Sequence, residues 1–449
     1  MDVVVIGAGP AGVVAAMRAG DLGAKTSLIT QNAFGGMAAN DGPVPVRTLA
    51  HAARLLRDAH ELGRYGIQIG PPVLSYEQLL LRVQEVVKKT REHSTFRAQV
   101  ESAGVTVYEN SGAAHFVDPH TIETETGLRL SASKFVICSG GVSRQLPVPG
   151  AGLTNTHSDA WSLTSAPRSM IVVGAGATGV QVASIFNAFG TRVQLFQAGD
   201  RIVPTEDQDI SAAVAQGFRN NGIEVRESFG TIDSFEKTDS GVRMLFTKDG
   251  ISHTAEAALA VVAIGWAADT RSLLLENAGV SLDGRGFIET NESLQTSAKH
   301  IFAAGDATGR MMLVPQAIQQ GFVAATNAVS GSAMNLIEEA APIGSFTDPE
   351  YAQVGLTESR ARESHEVLVA RVDFDSTTRT IIDGRTFGFL KLIVDKPSKS
   401  ILGCHVVGER AIDLTQIAAI AMAAGMKVDQ LANVPLSFPT YAGVLSLAA

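Results

Sequence analysis

Two glycine fingerprints constrain this chain more than any other feature: GAGPAG, with Gly7, Gly9 and Gly12, and GAGATG, with Gly174, Gly176 and Gly179. Each follows a short β-rich apolar run, Val3 to Ile6 and Met170 to Val173, and each opens a helical pattern. That strand–turn–helix setting is what a dinucleotide-binding loop requires. The first glycine permits the tight turn, and the second lets backbone N–H groups approach a pyrophosphate. The third lets helix and strand pack closely, while the helix N-terminus faces the diphosphate charge. Two such units predict two dinucleotides on one polypeptide. The alternative is a pair of coincidental turns in an α/β protein.

A chain of 449 residues is too long for one ordinary core and implies about two to four domains. A net charge of −9 with no basic run argues against a nucleic-acid surface. No apolar stretch reaches membrane-spanning length, and the alanine-rich stretch from Leu414 to Met426 reads as a buried helix, so no membrane insertion is expected. The first strand begins at Asp2, so no targeting segment is expected ahead of it. Cys138 and Cys404 are the two cysteines, which excludes a disulfide scaffold and a CxxC metal site. A cytoplasmic flavin or nicotinamide enzyme fits these bounds. His51, His60, His93 and His405 show no metal-ligand spacing and read as surface or satisfied core residues.

The first fingerprint starts a βαβ unit, with a strand over 2–6, a helix from Pro10 to Leu22 and a strand over 25–29. Two helices are expected next. Pro45 lies in the first turn of one. Ser75 and Gln78 form a capping-box pattern opening the other, which Gly104 ends. Strands at His115–Val117, Thr121–Glu125 and Lys134–Ile137 read as a β-meander, and LPVPG at 146–150 reads as a hinge. The second unit runs from Ser169 to Asp269 and ends on a strand over 258–264. The segment from Thr296 to Gly331 returns to the style of the first domain. A third block runs from Pro342 to the end, with strands Phe387–Asp395 and Ile401–Gly408 and a helix over 412–424.

Together with SAKHIFAAGDATG at 297–309, AIGWAADT at 263–270, SFTDPEYAQVGLTE at 345–358 and ILGCHVVG at 401–408, the fingerprints resemble the pyridine nucleotide-disulfide oxidoreductases. That is the family of dihydrolipoamide dehydrogenase, glutathione reductase and mercuric reductase. The resemblance covers essentially the whole chain. It implies an α/β fold of two Rossmann-like dinucleotide-binding domains plus a C-terminal α+β dimerisation (interface) domain. The expected divisions are 1–148 with 270–332 for FAD, 149–269 for NAD(P)H and 340–449 for dimerisation. It also implies a homodimer in which each active site borrows residues from the partner's tail. The cofactor-binding positions it implies are Gly7, Gly9, Pro10, Ala11, Gly12, Thr30, Gly35, Gly36, Ser139, Gly140, Gly174, Gly176, Thr178, Gly179, Gln181, Gln197, Gly265, Gly305 and Asp306. Asp306 follows an apolar strand and a glycine, a poor place for packing but a good one for accepting hydroxyl protons. A helix cap is its alternative reading.

The chain departs from that family at its reactive centre. Where the family carries GGxCLNxGCxPSK, this chain reads GGMAANDGPVPVRT from Gly35 to Thr48. Ala38 and Pro43 stand at the cysteine positions, and Arg47 at the lysine. The tail motif HPTxxE reads FPTYAG, so Phe438 stands for the acid–base histidine and Gly443 for its glutamate. Tyr441 is the nearest remaining proton donor. Gln181 replaces the lysine's carboxylate partner, and Asp41 is a substitute partner for Arg47. Thr30 and Gln197 replace the acids expected at the ribose hydroxyls. With Arg201 nearby, that leans toward NADPH over NADH.

The expected function is an FAD-dependent NAD(P)H oxidoreductase that passes electrons from flavin directly to a non-thiol, small-molecule acceptor such as a quinone, without disulfide reduction. Arg47, Phe438 and Tyr441 are its candidate catalytic residues, and an apolar slot at Ala38, Pro43 and Phe438 would take the acceptor. A soluble transhydrogenase and a redox-inactive nucleotide-binding sensor or scaffold are the alternatives.

Overall fold

Apolar residues in the run Val3–Ile6 alternate between two cores, and that alternation sets the architecture of the first unit. In the computed structural model, which describes residues 1–93, 96–336 and 341–449, this run is the central strand of a five-stranded sheet. Its order is Ile301–Ala303, Lys134–Ile137, Val3–Ile6, Thr26–Ile29, Thr106–Tyr108, with every pairing parallel. Val3 and Val5 face a core shared with Ala15, Ala16 and Ala19 of the helix Pro10–Asp21 and with Ala324 and Ala328 of the helix Val314–Ser330. Val4 and Ile6 face Phe116, Ile122 and Leu130 on the opposite side. Burial on both faces explains why the strands read as unbroken apolar runs.

The meander differs from the sequence expectation. Its strands are Ala114–Asp118, Thr121–Thr124 and Arg129–Ser131, whereas Lys134–Ile137 crosses into the parallel sheet beside Val3–Ile6. Four consecutive buried or half-buried residues mark a strand covered on both faces rather than a meander edge. The helix expected from Ser75 to Gly104 is two helices, Tyr76–His93 and Arg97–Ser102. Phe96 has φ +60°, outside the helical region, so the second starts anew. Residues 94 and 95, which the single-helix expectation spanned, lie outside the described residues, as does residue 340, where the dimerisation domain was expected to begin.

The chain divides into two units, one of Met1–Thr48, Gln78–Arg144 and Trp266–Glu338, the other of Leu49–Glu77, Gln145–Gly265 and Glu339–Ala449. The second unit holds a four-stranded parallel sheet, ordered Glu224–Glu227, Arg192–Gln197, Ser169–Val173, Leu259–Val262. A three-stranded antiparallel sheet over Thr231–Ala257 closes one of its faces through Phe235, Met244 and Phe246. It also holds a five-stranded antiparallel sheet, ordered Ile343–Ser345, Tyr351–Gly355, Ile401–Gly408, Gly388–Asp395, Val367–Asp373. The helices Ala411–Ala423 and Gly443–Ala448 pack on that sheet through Leu414, Ala418 and Leu445. Among the described residues, no helix is long and apolar enough to cross a membrane.

The helices Pro10–Asp21 and Val314–Ser330 touch backbone to backbone. A Cβ on Gly321 would lie 2.1 Å from the Ala11 carbonyl oxygen. Gly321→Val is therefore expected to destabilise the protein by about 1–3 kcal/mol through overpacking. The drop in thermal unfolding midpoint measures it, and an unchanged midpoint would contradict this helix crossing.

Candidate functional site

In the first unit, four neighbouring strands end on the same edge of the sheet, and each delivers expected site residues there. Gly7 follows Ile6, Thr30 follows Ile29, Ser139 and Gly140 follow the strand Lys134–Ile137, and Gly305 and Asp306 follow the strand Ile301–Ala303. The carboxyl edge of a parallel sheet is where such folds bind nucleotides. The loop is tight because its backbone has no room for side chains. A Cβ on Gly7, whose φ is +105°, would lie 2.2 Å from the Cys138 carbonyl oxygen, and one on Gly12 would lie 1.8 Å from the Gly7 carbonyl oxygen. Gly9 is the N-cap of the helix Pro10–Asp21 with Pro10 in its first turn, a position where the missing proline N–H costs nothing. The orphan N–H groups of that turn are left for an anion.

Gly35 and Gly36 close the loop from above. Gly35 N–H donates to the Ala8 carbonyl at 2.9 Å, and a Cβ on Gly36 would lie 2.6 Å from Gly9 Cα. The short helix Gly36–Asn40 is pinned by the Asn40 amide, which donates to the Phe34 and Gly36 carbonyls at 3.1 and 2.8 Å. Ala38 sits in that helix and Pro43 begins the helix Pro43–Glu61, with Pro45, Arg47 and the turn of Asp41 alongside. Pro45 and Ala39 are buried, while Ala38 and Arg47 are half-buried.

The residues present fit FAD. Ser139 Oγ, Gln316 Oε1 and Gln320 Nε2 are buried without a protein partner, and such groups ordinarily have one. Gln320 Oε1 accepts from Gly305 N–H at 2.8 Å, fixing the turn that carries Asp306. Asp306 is half-buried, and burial alone pushes its pKa up, so hydroxyl donors would stabilise its charged form. Gln316, Gln320 and the Gly35–Gly36 lid went unassigned in sequence or lacked a stated reason. Two glutamines four apart on an apolar helix face were the available signal.

The second fingerprint repeats this geometry within the second unit. A Cβ on Gly174 would lie 2.4 Å from the Ala263 carbonyl oxygen, and one on Gly179 would lie 1.8 Å from the Gly174 carbonyl oxygen. Gly176 caps the helix Ala177–Ala188, which carries Thr178 in its first turn, and Gly265 follows the strand Leu259–Val262 with φ +109°. Gln197 ends its strand and accepts from Ala175 N–H through Oε1 at 3.0 Å, which leaves its Nε2 as a donor near Gly199. Arg201 donates to the Pro204 carbonyl at 2.8 Å, and Gln181 Nε2 donates back to the Ala177 carbonyl of its own helix at 2.9 Å.

In the tail, Phe438 is 83% exposed. Tyr441 is half-buried instead, and its hydroxyl donates to Asp383 at 3.1 Å. Burial, then the charges of Glu409 and Asp383, push its pKa up. Cys138 lies in the core of the first unit and Cys404 in the core of the second, both free. Burial pushes each thiol up to about 12, so neither carries thiolate at neutral pH. His405 departs from the satisfied-histidine expectation on one side of its ring. Nε2 bonds the Leu356 carbonyl at 2.9 Å, but Nδ1 is buried without a partner.

Known protein families match this chain along most of its length. Residues 1–321 match the family described as pyridine nucleotide-disulphide oxidoreductase, and residues 341–449 match its dimerisation domain. A dihydrolipoyl dehydrogenase from Bacillus subtilis is 30% identical, over 94% of this chain and 91% of that protein. A mercuric reductase from Staphylococcus aureus is 29% identical, over 100% of this chain and 82% of that protein. Among solved structures, the HOCl-induced flavoprotein disulfide reductase RclA from Escherichia coli superposes with a TM-score of 0.89. It is 24% identical and covers 100% of this chain and 99% of that one, a likeness of fold. The chain therefore belongs to the pyridine nucleotide-disulphide oxidoreductases, flavin-dependent enzymes that bind FAD and NAD(P)H.

Proposed function

We propose that this chain is an FAD-dependent NAD(P)H oxidoreductase whose electrons leave to a non-thiol acceptor, a quinone or similar planar molecule. The observation that carries this reading is the absence of cysteine from the loop Gly35–Thr48, together with two lone, protonated, buried thiols elsewhere. Thiol–disulfide exchange needs an accessible thiolate and a second sulfur. Relatives named dihydrolipoyl dehydrogenase and mercuric reductase suggest disulfide or metal-ion chemistry, but Ala38 and Pro43 offer no group to carry it.

When bound, FAD supplies the redox step by taking a hydride from the nicotinamide and delivering electrons to the acceptor. The chain's own residues do the rest. The two glycine loops and their helix N-termini hold the diphosphates, and Asp306 accepts from hydroxyls of the FAD chain. Gln197 presents an N–H donor where an acidic residue would repel a 2′-phosphate, which favours NADPH. Arg47 keeps its positive charge at every working pH and offsets negative charge that develops on reduction. Phe438, in a homodimer that the dimerisation domain supports, extends toward a second copy and supplies a flat apolar face for stacking. Tyr441, bonded to Asp383, serves that tail as an anchor rather than an acid. We assign 1–148 with 270–332 to FAD, 149–269 to NAD(P)H and the segment after it, from 340, to dimerisation. A cytoplasmic location fits the reduced thiols.

A steady-state screen of quinones, dyes, metal ions, oxygen, lipoamide and thio-NADP with both nicotinamides tests the reading. Quinone turnover is expected with NADPH. Turnover confined to thio-NADP would make the protein a transhydrogenase, and no oxidation of either nicotinamide would make it a redox-inactive binder. Lipoamide turnover would contradict the proposal outright. Phe438→Ala is expected to lower kcat/KM for the quinone about fivefold, the loss of a ring contact worth about 1 kcal/mol. An unchanged value removes Phe438 from the acceptor site. Arg47→Met is expected to lower the FAD midpoint potential by about 30 mV or more, equivalent to about 1.4 kcal/mol for a two-electron couple. An unchanged potential removes Arg47 from the mechanism.

A further inference from the structure

The segment between Gln197 and the helix Gln208–Asn220 is tied down at both ends, and one tie comes from the dimerisation sheet. At the nucleotide end, both polar groups of the Ala175 peptide inside the second fingerprint are engaged. Ala175 N–H donates to Gln197 Oε1 at 3.0 Å, and Ala175 C=O accepts from Val203 N–H at 2.8 Å. Val203 holds φ +40°, a region that a β-branched residue occupies only under constraint. Its neighbours supply the constraint. Ile202 N–H donates to Glu227 at 3.1 Å, Ser211 Oγ to the Ile202 carbonyl at 2.6 Å, and Glu206 N–H to the Val203 carbonyl at 3.0 Å.

At the far end, Asp207 is 3% exposed and accepts from Lys391 Nζ at 2.9 Å and from Glu358 N–H at 3.0 Å. Lys391, on the strand Gly388–Asp395, is itself 3% exposed and also bonds Asp209 at 2.8 Å and pairs with Glu358. Burial opposes the lysine's charge, but hydrogen bonds to Asp209, Glu358 and Asp207 raise its pKa on balance. Lys391, His405 and Gln353 are directly paired across three adjacent strands, so they form a polar row on one buried face. Gln353 Nε2 completes it by donating to Glu206 at 3.3 Å, a carboxyl that burial pushes up to about 8. A buried polar row costs the sheet free energy. Its bonds to the 205–209 segment are what it gains.

We propose that Lys391 is a positioning residue for the nicotinamide dinucleotide. Through Asp207 it clamps the loop 199–207, and Val203 of that loop fixes the Ala175 peptide on which the phosphate-binding turn is built. This rests on the second fingerprint being the nicotinamide site. Removing the ammonium leaves Asp207 buried without the lysine, beside the carboxylates of Asp209 and of Glu358, which keeps Arg362 at 2.6 Å, so the segment is pushed toward water and the turn loses its support.

The test uses FAD-loaded protein and equilibrium titration with NADP+ and NAD+. Lys391→Met is expected to weaken nucleotide binding about tenfold, with KM for NADPH rising alike while kcat and FAD content hold, because positioning acts on binding rather than on the chemical step. Val203→Gly, which accepts the positive φ without strain, keeps the decision open should Lys391→Met fail to fold. It is expected to weaken binding about threefold, and because Val203 is 1% exposed the lost burial lowers the unfolding temperature as well. Wild-type affinity in either folded variant overturns the clamp alone. Parallel loss of kcat and FAD in Lys391→Met also overturns it, by marking a merely structural role. No binding of either nucleotide by the unmodified protein would overturn the nicotinamide reading as well.

Discussion

A helix can offer its first N–H groups to a diphosphate only if its opening turn touches the strand end before it. Here that contact is backbone on backbone, with 1.8 Å separating a hypothetical Cβ from the carbonyl oxygen in both loops, at Gly12 against Gly7 and at Gly179 against Gly174. A methyl group at either place would push the helix off its sheet. The rest of each domain supports that approach. Apolar residues on both sheet faces hold the strand ends in line, and Gly36 and Gln320 fix the segments that complete the first cleft.

The chemistry follows from what these frames carry. The glycine loops are intact, whereas the positions at which the family resemblance implies reactive groups hold Ala38, Pro43 and Phe438. On the proposed reading, a protein with flavin and nicotinamide sites but no cysteine in the loop Gly35–Thr48 passes its electrons to an acceptor that needs no covalent attachment. An exposed ring on the tail suits a flat partner. The polar joint around Lys391 adds a second theme, since it ties the dimerisation sheet to the segment that bonds the Ala175 peptide of the second glycine loop.

Features whose cause is local were legible in the sequence. The glycine turns, the strands beneath them and Asp306 after its apolar strand are fixed by sterics over a few residues. Features settled by distant partners were not. Lys134–Ile137 is apolar enough for either sheet, and only its parallel pairing with Val3–Ile6 decides between them. The break near Phe96 falls where no proline or glycine announces it. Lys391 and Asp207 lie 184 residues apart, and a lysine within an apolar strand carries no hint of the carboxylate it will meet. His405 shows the same limit, because its ring meets the Leu356 carbonyl 49 residues away at Nε2 and is buried without a partner at Nδ1.

Anaerobic reductive titration counts the redox groups themselves. Fully oxidised protein should take up a single hydride equivalent per bound FAD, losing its visible absorption without a long-wavelength thiolate-to-flavin band. Uptake of a second equivalent, with that band appearing between the first and the second, would mean that sulfur takes part and would contradict the thiol-free route.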